Sequence, residues 1–215
     1  YCKNELKCTN DEIIFISSSD HLISPVNVFL RNMRQGLSLT NKDTIVVFGV
    51  KPTKVATNYG YIQIGEKIDE GYIVENFVEK PGEADAEKYV KEGYYWNAGI
   101  TVFQLSTYFK ELEQNAPEVF AMAKQPFAEM VKNYKNMPDI SVDYALMEKS
   151  GSLAMVILNC FWNDIGSWDD MYEVLDKDED SNAKRGDIVT VDCQDSLFIG
   201  KNVSSPVPVC LTRSS

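Results

Sequence analysis

One continuous apolar run constrains the fold of this chain more than any other feature. Residues 153–158 carry no polar side chain, which is typical of a strand that is buried on both faces. Such strands occur mainly in sheets that helices cover on both sides. A polar stretch follows and includes Asn163 and Asp164. The run therefore predicts an α/β fold in which Asp164 lies at the carboxyl end of a core strand.

Two more apolar runs, and the segment between them, favour the same class. Residues 12–17 and 44–50 each predict a strand, and residues 25–39 carry apolar side chains at helical spacing. A strand, a helix and a strand at this spacing predict a βαβ unit whose strands pair in parallel. We therefore predict a mixed, mainly parallel sheet that is flanked by helices.

Two acids occupy equivalent positions after predicted strands. Asp20 follows residues 12–17, and Asp164 follows residues 153–158. In open α/β sheets, ligands bind at the carboxyl ends of the strands. Two carboxylates about 4 Å apart repel by about 4 kcal/mol at an effective dielectric near 20, and a divalent cation between them converts this repulsion into binding. Oxygen ligands suit magnesium. The alternative is that Asp164 only caps the helix that follows Ser167.

Composition limits the classes of function. The chain has 215 residues, a formal net charge of −11 and a pI near 4.6, which disfavours nucleic acids and anionic membrane surfaces as partners. No apolar run has the length of a membrane span. The five cysteines form no CxxC pair and predict reduced thiols in a cytoplasmic protein. We predict an α/β domain over residues 1–180 and the start of a small β module over residues 181–215.

Further polar residues lie where predicted strands begin or end. Gly60 follows Tyr59 in a polar loop and allows close approach of a ligand to the backbone; the alternative is a tight turn. Glu79 and Lys80 end a strand, where an acid can accept sugar hydroxyls and a lysine can meet a phosphate; the alternative is a solvated ion pair. Asn97 interrupts an apolar run, and either a polyhydroxylated ligand or neighbouring backbone satisfies it.

The remaining segments carry weaker signals. Residues 141–149 predict a capped helix. We favour Asp143 as an acid in its first turn, and the alternative is that Asp143 approaches the site. Residues 187–191 and 196–199 predict short strands of the C-terminal β module.

Six motifs in a fixed order resemble the sugar-nucleotide pyrophosphorylases. Within that family, the resemblance is to the mannose-1-phosphate guanylyltransferases, particularly the bacterial form that is often fused to a mannose-6-phosphate isomerase domain. The motifs span most of residues 12–200 and are specific as a set. They are Ser19-Asp20-His21, Tyr59-Gly60-Tyr61-Ile62, Phe77-Val78-Glu79-Lys80-Pro81, Trp96-Asn97-Ala98-Gly99, Ser141-Val142-Asp143-Tyr144-Ala145 with Met147-Glu148-Lys149, and Trp162-Asn163-Asp164-Ile165-Gly166-Ser167-Trp168.

The resemblance implies a Rossmann-like nucleotidyltransferase fold and a set of roles. Asp20 and Asp164 correspond to metal-binding aspartates that hold Mg²⁺, and both count with Lys80 as catalytic. The sugar phosphate is expected to contact Glu79 and Lys80, together with Gly60 and its neighbour Tyr59 in the sugar loop, and Asn97.

The implied reaction joins GTP to mannose 1-phosphate. A phosphate oxygen of the sugar phosphate attacks the α-phosphorus of GTP, pyrophosphate leaves and GDP-mannose forms. No protein nucleophile is needed, because alignment and charge neutralisation provide the catalysis.

The sequence departs from the family pattern in two places. The family's Gly-rich loop, with the Arg and Lys that hold the triphosphate, does not occur in these 215 residues, so we expect an N-terminally truncated chain with little activity on its own. Residues 17–19 are serines where the family usually has a proline before the Asp20 motif. Two other functions stay open: transfer of another base or sugar, and a non-catalytic regulatory subunit that binds sugar nucleotides. Monomer and homodimer are both open.

Overall fold

The structure is a computed structural model that describes residues 1–200. Within these residues the strands are β1 (Ile13–Ile16), β2 (Leu22–Ser24), β3 (Ile45–Val50), β4 (Tyr61–Ile68), β5 (Gly71–Val78), β6 (Tyr95–Gln104), β7 (Leu153–Ile157), β8 (Phe161–Asn163), β9 (Ala183–Arg185) and β10 (Leu197–Ile199). The α-helices are α1 (Val26–Leu39), α2 (Glu83–Lys91), α3 (Leu105–Asn115), α4 (Pro117–Ala123), α5 (Phe127–Lys132) and α6 (Trp168–Val174). Short 3₁₀ turns cover Thr40–Lys42 and Tyr134–Asn136, and a π-helix covers Asp143–Met147.

Local sequence signals set several of these boundaries. The segment after α1 ends at Asp43, whose φ of 55° lies in the left-handed region and stops the helical path. Asp69 has a φ of 40° in the tight turn that joins β4 to β5. Pro117 begins α4 at its first turn, where a missing N–H costs nothing. The first boundary agrees with the helical segment that is predicted over residues 25–39.

A six-stranded sheet forms the centre of the fold, in the order β1-β6-β3-β7-β5-β4, with an additional pairing of β4 to β6. The predicted mixed α/β class, with a sheet flanked by helices, is confirmed. The prediction that this sheet is mainly parallel is wrong. Only β3 and β7 pair in parallel, and the other pairings in the described sheet are antiparallel.

The expected parallel pairing of the first βαβ unit is also wrong. Strands β1 and β3 run in the same direction, but β6 lies between them and is antiparallel to both. The reason is that β6 is long enough to pair with three strands, and a bulge between Val47 and Gly49 of β3 lets it bend across the sheet. Periodicity within each strand carries no information about such an insertion.

Helices cover both faces of the sheet. On one face, α1 and α2 pack on a core that includes Phe48, Ile100 and Val156. On the other face, the π-helix and Tyr108 of α3 pack on a second cluster that includes Leu146 and Met155. The strands β3 and β7 contribute to both clusters, as predicted for strands buried on both faces.

The described chain divides into two compact units. The first unit contains residues 1–19 and 23–162, and the second contains residues 20–22 with residues from 163 onward. In the second unit, β9 and β10 pair in parallel. The strand predicted at 196–199 is confirmed, whereas residues 187–191 form no strand, because Val189 and Val191 are largely exposed. The predicted domain boundary at 180 stays a prediction, and residues 201–215 of the predicted β module lie outside the described residues.

No helix in residues 1–200 is both long enough and apolar enough to span a membrane.

Candidate functional site

The register of three strands brings three predicted residues together. Tyr61, the first residue of β4, pairs with Val78 of β5 on one side and with Trp96 of β6 on the other. The next residue outward on each strand is therefore Gly60, Glu79 or Asn97. The Asn97 backbone N–H donates to the Gly60 carbonyl oxygen over 2.8 Å. The sheet thus assembles one cluster from three separate motifs.

The glycine at position 60 is required by a close approach. A Cβ placed on Gly60 would lie 2.7 Å from Glu79 Oε2 and 3.2 Å from Asn97 Cβ. The Glu79 carboxylate therefore lies against the Gly60 backbone, and any larger residue would displace it. The alternative of a simple tight turn does not account for this contact.

Glu79 and Lys80 differ strongly in exposure. The Glu79 side chain is 9% exposed and the Lys80 side chain 56%, with 3.4 Å between Lys80 Nζ and Glu79 Oε1. This exposure contradicts the alternative of a fully solvated ion pair. Lys80 has a φ of 46°, in the left-handed region that a lysine rarely adopts. The chain therefore turns sharply just after β5.

The π-helix contributes residues that the sequence interpretation did not place in the site. Asn97 Nδ2 donates to Asp143 Oδ1 over 3.5 Å, the Glu79 backbone N–H donates to Glu148 Oε1 over 2.8 Å, and the Tyr144 hydroxyl donates to the Glu79 carbonyl oxygen over 3.3 Å. For Asp143, the contact with Asn97 favours the alternative that this residue approaches the site. The signal that could have indicated the others is the four-residue spacing of Tyr144 and Glu148, which places both on one helical face.

Burial and neighbouring charges control the electrostatics of this cluster. Burial raises the pKa of Glu79 above its ordinary value, and the nearby Asp143 carboxylate raises this pKa further, while Lys80 acts in the opposite direction. Burial also raises the pKa of Asp143. The cluster is rich in acceptors, so it suits a ligand with several hydroxyl groups. A phosphate group is favoured near the exposed Lys80 ammonium group.

The amide of Asn97 is oriented by the protein. Its Oδ1 accepts the Gly99 backbone N–H over 3.1 Å, which leaves Nδ2 directed toward Asp143. Neighbouring backbone therefore satisfies part of this side chain, as the structural alternative expected. Nδ2 carries two hydrogens and donates one to Asp143, which leaves the second for a ligand. Binding of a ligand by Asn97 stays a prediction.

The side chain of Tyr59 packs in the core. Tyr59 is 8% exposed, and its ring lies 4.9 Å from the Trp96 ring and 5.5 Å from the Trp162 ring, measured between centroids. The ring therefore anchors the loop that carries Gly60. A direct role of Tyr59 in substrate binding stays a prediction.

Both predicted metal-binding aspartates belong to the second unit. Asp20 is exposed in the turn after β1, and Asp164 is partly buried in the turn after β8. The prediction that Asp164 lies at the end of a core strand is wrong, because β7 ends at Ile157 and β8, a short strand outside the six-stranded sheet, comes between β7 and Asp164. The N-cap of α6 is Ser167, whose hydroxyl oxygen accepts the Asp170 N–H over 3.1 Å, so a capping role does not explain Asp164. Across residues 1–200, no group of three or more His, Cys, Asp or Glu side chains is arranged to hold a metal ion.

A separate apolar cavity of about 520 Å³ shares no residue with the cluster around Gly60. Its walls include the aromatic residues Tyr1, Phe103 and Phe120 and also the basic residues Lys3 and Lys124.

Sequence comparison shows which family this chain resembles. Residues 1–181 match the nucleotidyl transferase family. A putative mannose-1-phosphate guanylyltransferase of Vibrio cholerae is 33% identical over 192 residues, which are 84% of this chain and 41% of that protein. Mannose-1-phosphate guanylyltransferase RfbM of Salmonella typhimurium is 30% identical over 215 residues, 94% of this chain and 45% of that protein. The chain therefore spans less than half the length of these curated relatives.

Solved structures share the fold. A crystal structure described as mannose-1-phosphate geranyltransferase from Thermus thermophilus superposes with a TM-score of 0.76 at 29% identity, over 81% of this chain and 53% of that chain. A structure described as mannose-6-phosphate isomerase from Helicobacter pylori superposes with a TM-score of 0.68 at 29% identity, over 74% of this chain and 66% of that chain. Both likenesses confirm the predicted α/β architecture.

Proposed function

Because the chain belongs to the nucleotidyl transferase family, we propose that it is part of a mannose-1-phosphate guanylyltransferase, which forms GDP-mannose and pyrophosphate from GTP and mannose 1-phosphate. The names of its curated relatives support this substrate pair. The observation that carries the proposal is the cluster of Gly60, Glu79 and Asn97 beside the exposed Lys80. It combines hydroxyl acceptors with a single cation, which matches a sugar that bears one phosphate.

Each residue of the cluster has a separate role in this proposal. The Glu79 carboxylate accepts sugar hydroxyl groups, and its burial strengthens those hydrogen bonds. Gly60 lets the Glu79 carboxylate lie against the backbone of the sugar-contacting loop, and Tyr59 anchors this loop in the core. Asn97 donates from Nδ2. Lys80 neutralises the sugar phosphate and acts as the catalytic cation, because both reactants arrive as anions.

The reaction needs no covalent intermediate with the protein. An oxygen of mannose 1-phosphate forms a bond to the α-phosphorus of GTP, and the bond between that phosphorus and the bridging oxygen to the β-phosphate breaks. Pyrophosphate leaves with the electron pair. The chain's residues bind and orient the sugar phosphate, and this alignment lowers the barrier.

A divalent metal is the general cofactor class of nucleotidyl transferases, and we propose Mg²⁺ here. Asp20 and Asp164 would hold it. Magnesium commonly takes one or two carboxylates and completes its shell with water and substrate phosphates, so a pair of aspartates in one unit fits it. When bound, the ion supplies charge neutralisation of the phosphates. We also expect the protein to act in the cytoplasm, where reduced thiols are stable.

The first test is an assay of the natural protein with GTP, mannose 1-phosphate and Mg²⁺. We expect GDP-mannose and an equal amount of pyrophosphate by chromatography. Replacing GTP with UTP or dTTP, or the sugar phosphate with glucose 1-phosphate, tests the alternative base and sugar. Absence of GDP-mannose, or faster turnover with another pair, would overturn the assignment.

The second test is Lys80→Gln, which removes the cation without much loss of volume. We expect a fall in kcat/KM of about one hundredfold or more, because electrostatic stabilisation of a transferring phosphate is lost. Lys88→Gln is the matched control, since Lys88 is an exposed lysine of α2 in the same unit. Equal activity of the two variants would remove Lys80 from the catalytic site.

A further inference from the structure

The backbone of Glu79 is bonded on both sides by side chains of one helical segment. Strand β5 ends at Val78, so Glu79 lies just past its pairing with β4. Its N–H donates to Glu148 Oε1 over 2.8 Å, and its carbonyl oxygen accepts from the Tyr144 hydroxyl over 3.3 Å. Two side chains thus replace the strand neighbours that an interior residue would have.

The residue that follows Glu79 is the one that needs this support. Lys80 adopts a φ of 46°, and a lysine in the left-handed region is strained. Such a conformation persists where the surrounding structure determines it. Fixing both backbone groups of Glu79 sets the direction of its carboxylate toward Gly60 and of Lys80 toward solvent.

The helical segment that carries these two side chains is itself held firmly. Ala145, Leu146 and Met147 are almost fully buried between α3 and the sheet. The Glu148 N–H donates to the Asp143 carbonyl oxygen over 3.0 Å, the hydrogen bond that defines the π-helix. Behind this segment, the Ser150 hydroxyl donates to the buried Glu111 carboxylate over 2.6 Å.

We propose that Tyr144 and Glu148 are positioning residues that clamp the Glu79–Lys80 turn in its binding conformation. Neither needs to touch the sugar, because each acts through the backbone of Glu79. The geometric part stands on the contacts alone, whereas the effect on sugar-phosphate binding rests on the proposed function. Glu148 acts here as a hydrogen-bond acceptor, so its charge is not required.

Kinetics of the natural protein test the functional part. With Glu148→Ala we expect the KM for mannose 1-phosphate to rise about tenfold, as for loss of one hydrogen bond to a charged group, with the KM for GTP unchanged. Glu148→Gln keeps an acceptor oxygen and should restore the KM. Tyr144→Phe should show a smaller rise in the same KM. Glu87→Ala, at an exposed glutamate of α2, is the control.

Amide hydrogen exchange tests the clamp without any assay of activity. In this chain, NMR should show the Glu79 amide protected in the wild type and in Glu148→Gln, and exchanging about tenfold faster in Glu148→Ala. Amides of β3 should be unaffected, which separates a local change from general destabilisation.

The outcomes distinguish the inference from the proposed function. If the natural protein makes no GDP-mannose but the Glu79 amide responds as expected, the proposed function fails and the clamp stands. Unchanged Glu79 exchange in Glu148→Ala overturns the clamp. Equal impairment of Glu148→Gln and Glu148→Ala also overturns it, since charge and not the hydrogen bond would then be responsible.

Discussion

At the scale of single residues, the candidate site depends on the lack of a side chain at Gly60. Gly60 leaves room that the Glu79 carboxylate fills, and the carboxylate is then almost removed from water. An acid in this position is costly to ionise and correspondingly strong as an acceptor. Ionisation of Glu79 therefore lowers the stability of the folded protein, but it makes the carboxylate a stronger acceptor for a ligand.

The first prediction concerns Gly60→Ala. The φ of Gly60 is not in the left-handed region, so the backbone tolerates alanine at this position. The new Cβ, however, displaces the Glu79 carboxylate. We expect stability to fall by only about 1 kcal/mol and affinity for mannose 1-phosphate to fall at least about tenfold. Calorimetric titration and thermal unfolding measure the two effects. Gly151→Ala is the control, since open space surrounds that position, and similar affinities for both variants would contradict the close approach.

The second prediction concerns the pH dependence of Glu79→Gln. Because the folded state raises the pKa of Glu79, the folded protein binds its proton more tightly than the unfolded chain. This contribution to stability is full below about pH 4.3, the ordinary value, and is lost as pH rises through the folded pKa. Gln carries no such dependence, so the variant should be more stable than the wild type at pH 7.

The difference in stability between Glu79→Gln and the wild type should shrink toward zero as the pH falls below the ordinary value. Urea unfolding at pH 4, 5, 6 and 7 provides the measurement. The same variant should bind mannose 1-phosphate more weakly. A variant that is less stable than the wild type at pH 7 would show that ionised Glu79 is already compensated in the ligand-free protein.

At the scale of elements, the sequence predicted each part of the site better than its assembly. Periodicity identified strands at residues 12–17, 44–50 and 153–158, and Glu79 and Lys80 were correctly placed at the end of a strand. Periodicity did not show that β6 enters between β1 and β3, because pairing across the sheet depends on long-range contacts. The prediction of a mainly parallel sheet was therefore wrong, although most of the predicted strands were correct.

The same reasoning explains why Tyr144 and Glu148 were missed. Residues 141–149 were predicted to form a helix, and Asp143–Met147 form a π-helix. A helix can present its polar face to solvent or to a strand end with the same sequence pattern. Only the packing of Leu146 and Met147 on the sheet decides which occurs. The resemblance to a known family identified Glu79 and Lys80, and physical pattern alone left their alternatives open.

The third prediction tests the support of the π-helix. The Ser150 hydroxyl bonds the Glu111 carboxylate and also accepts the Ser152 N–H over 3.1 Å. Ser150→Ala leaves both groups with one partner fewer, so we expect the free energy of unfolding to fall by about 2 kcal/mol. Urea denaturation measures it, with Ser38→Ala at an exposed position of α1 as the control, expected within about 0.5 kcal/mol. Equal values for both variants would show that Glu111 does not support the segment.

At the scale of the whole molecule, net charge and local chemistry oppose each other. The chain carries a formal charge of −11, yet the proposed substrates are themselves anions. Binding therefore requires local positive charge. Lys80 supplies it in one unit, and in the other unit the magnesium ion proposed on Asp20 and Asp164 would supply it. Asp20 and Asp164 are far apart in the sequence, but both belong to the second unit, which contains residues 20–22 and residues from 163 onward.

The last prediction asks whether Asp20 and Asp164 hold the same ion. In the natural protein, Asp20→Asn and Asp164→Asn should each weaken magnesium-dependent binding of GDP-mannose at least about tenfold, since a hard cation loses an anionic ligand. If one ion needs both carboxylates, the double variant should lose little more than either single variant, so the effects are strongly non-additive. Titration with GDP-mannose, with and without Mg²⁺, measures the affinities of the wild type, the two single variants and the double variant. The control is Asp187→Asn, at an exposed acid of the same unit, which should match the wild type. Additive losses would mean that the two aspartates act independently, and an unchanged single variant would remove that residue from the metal site.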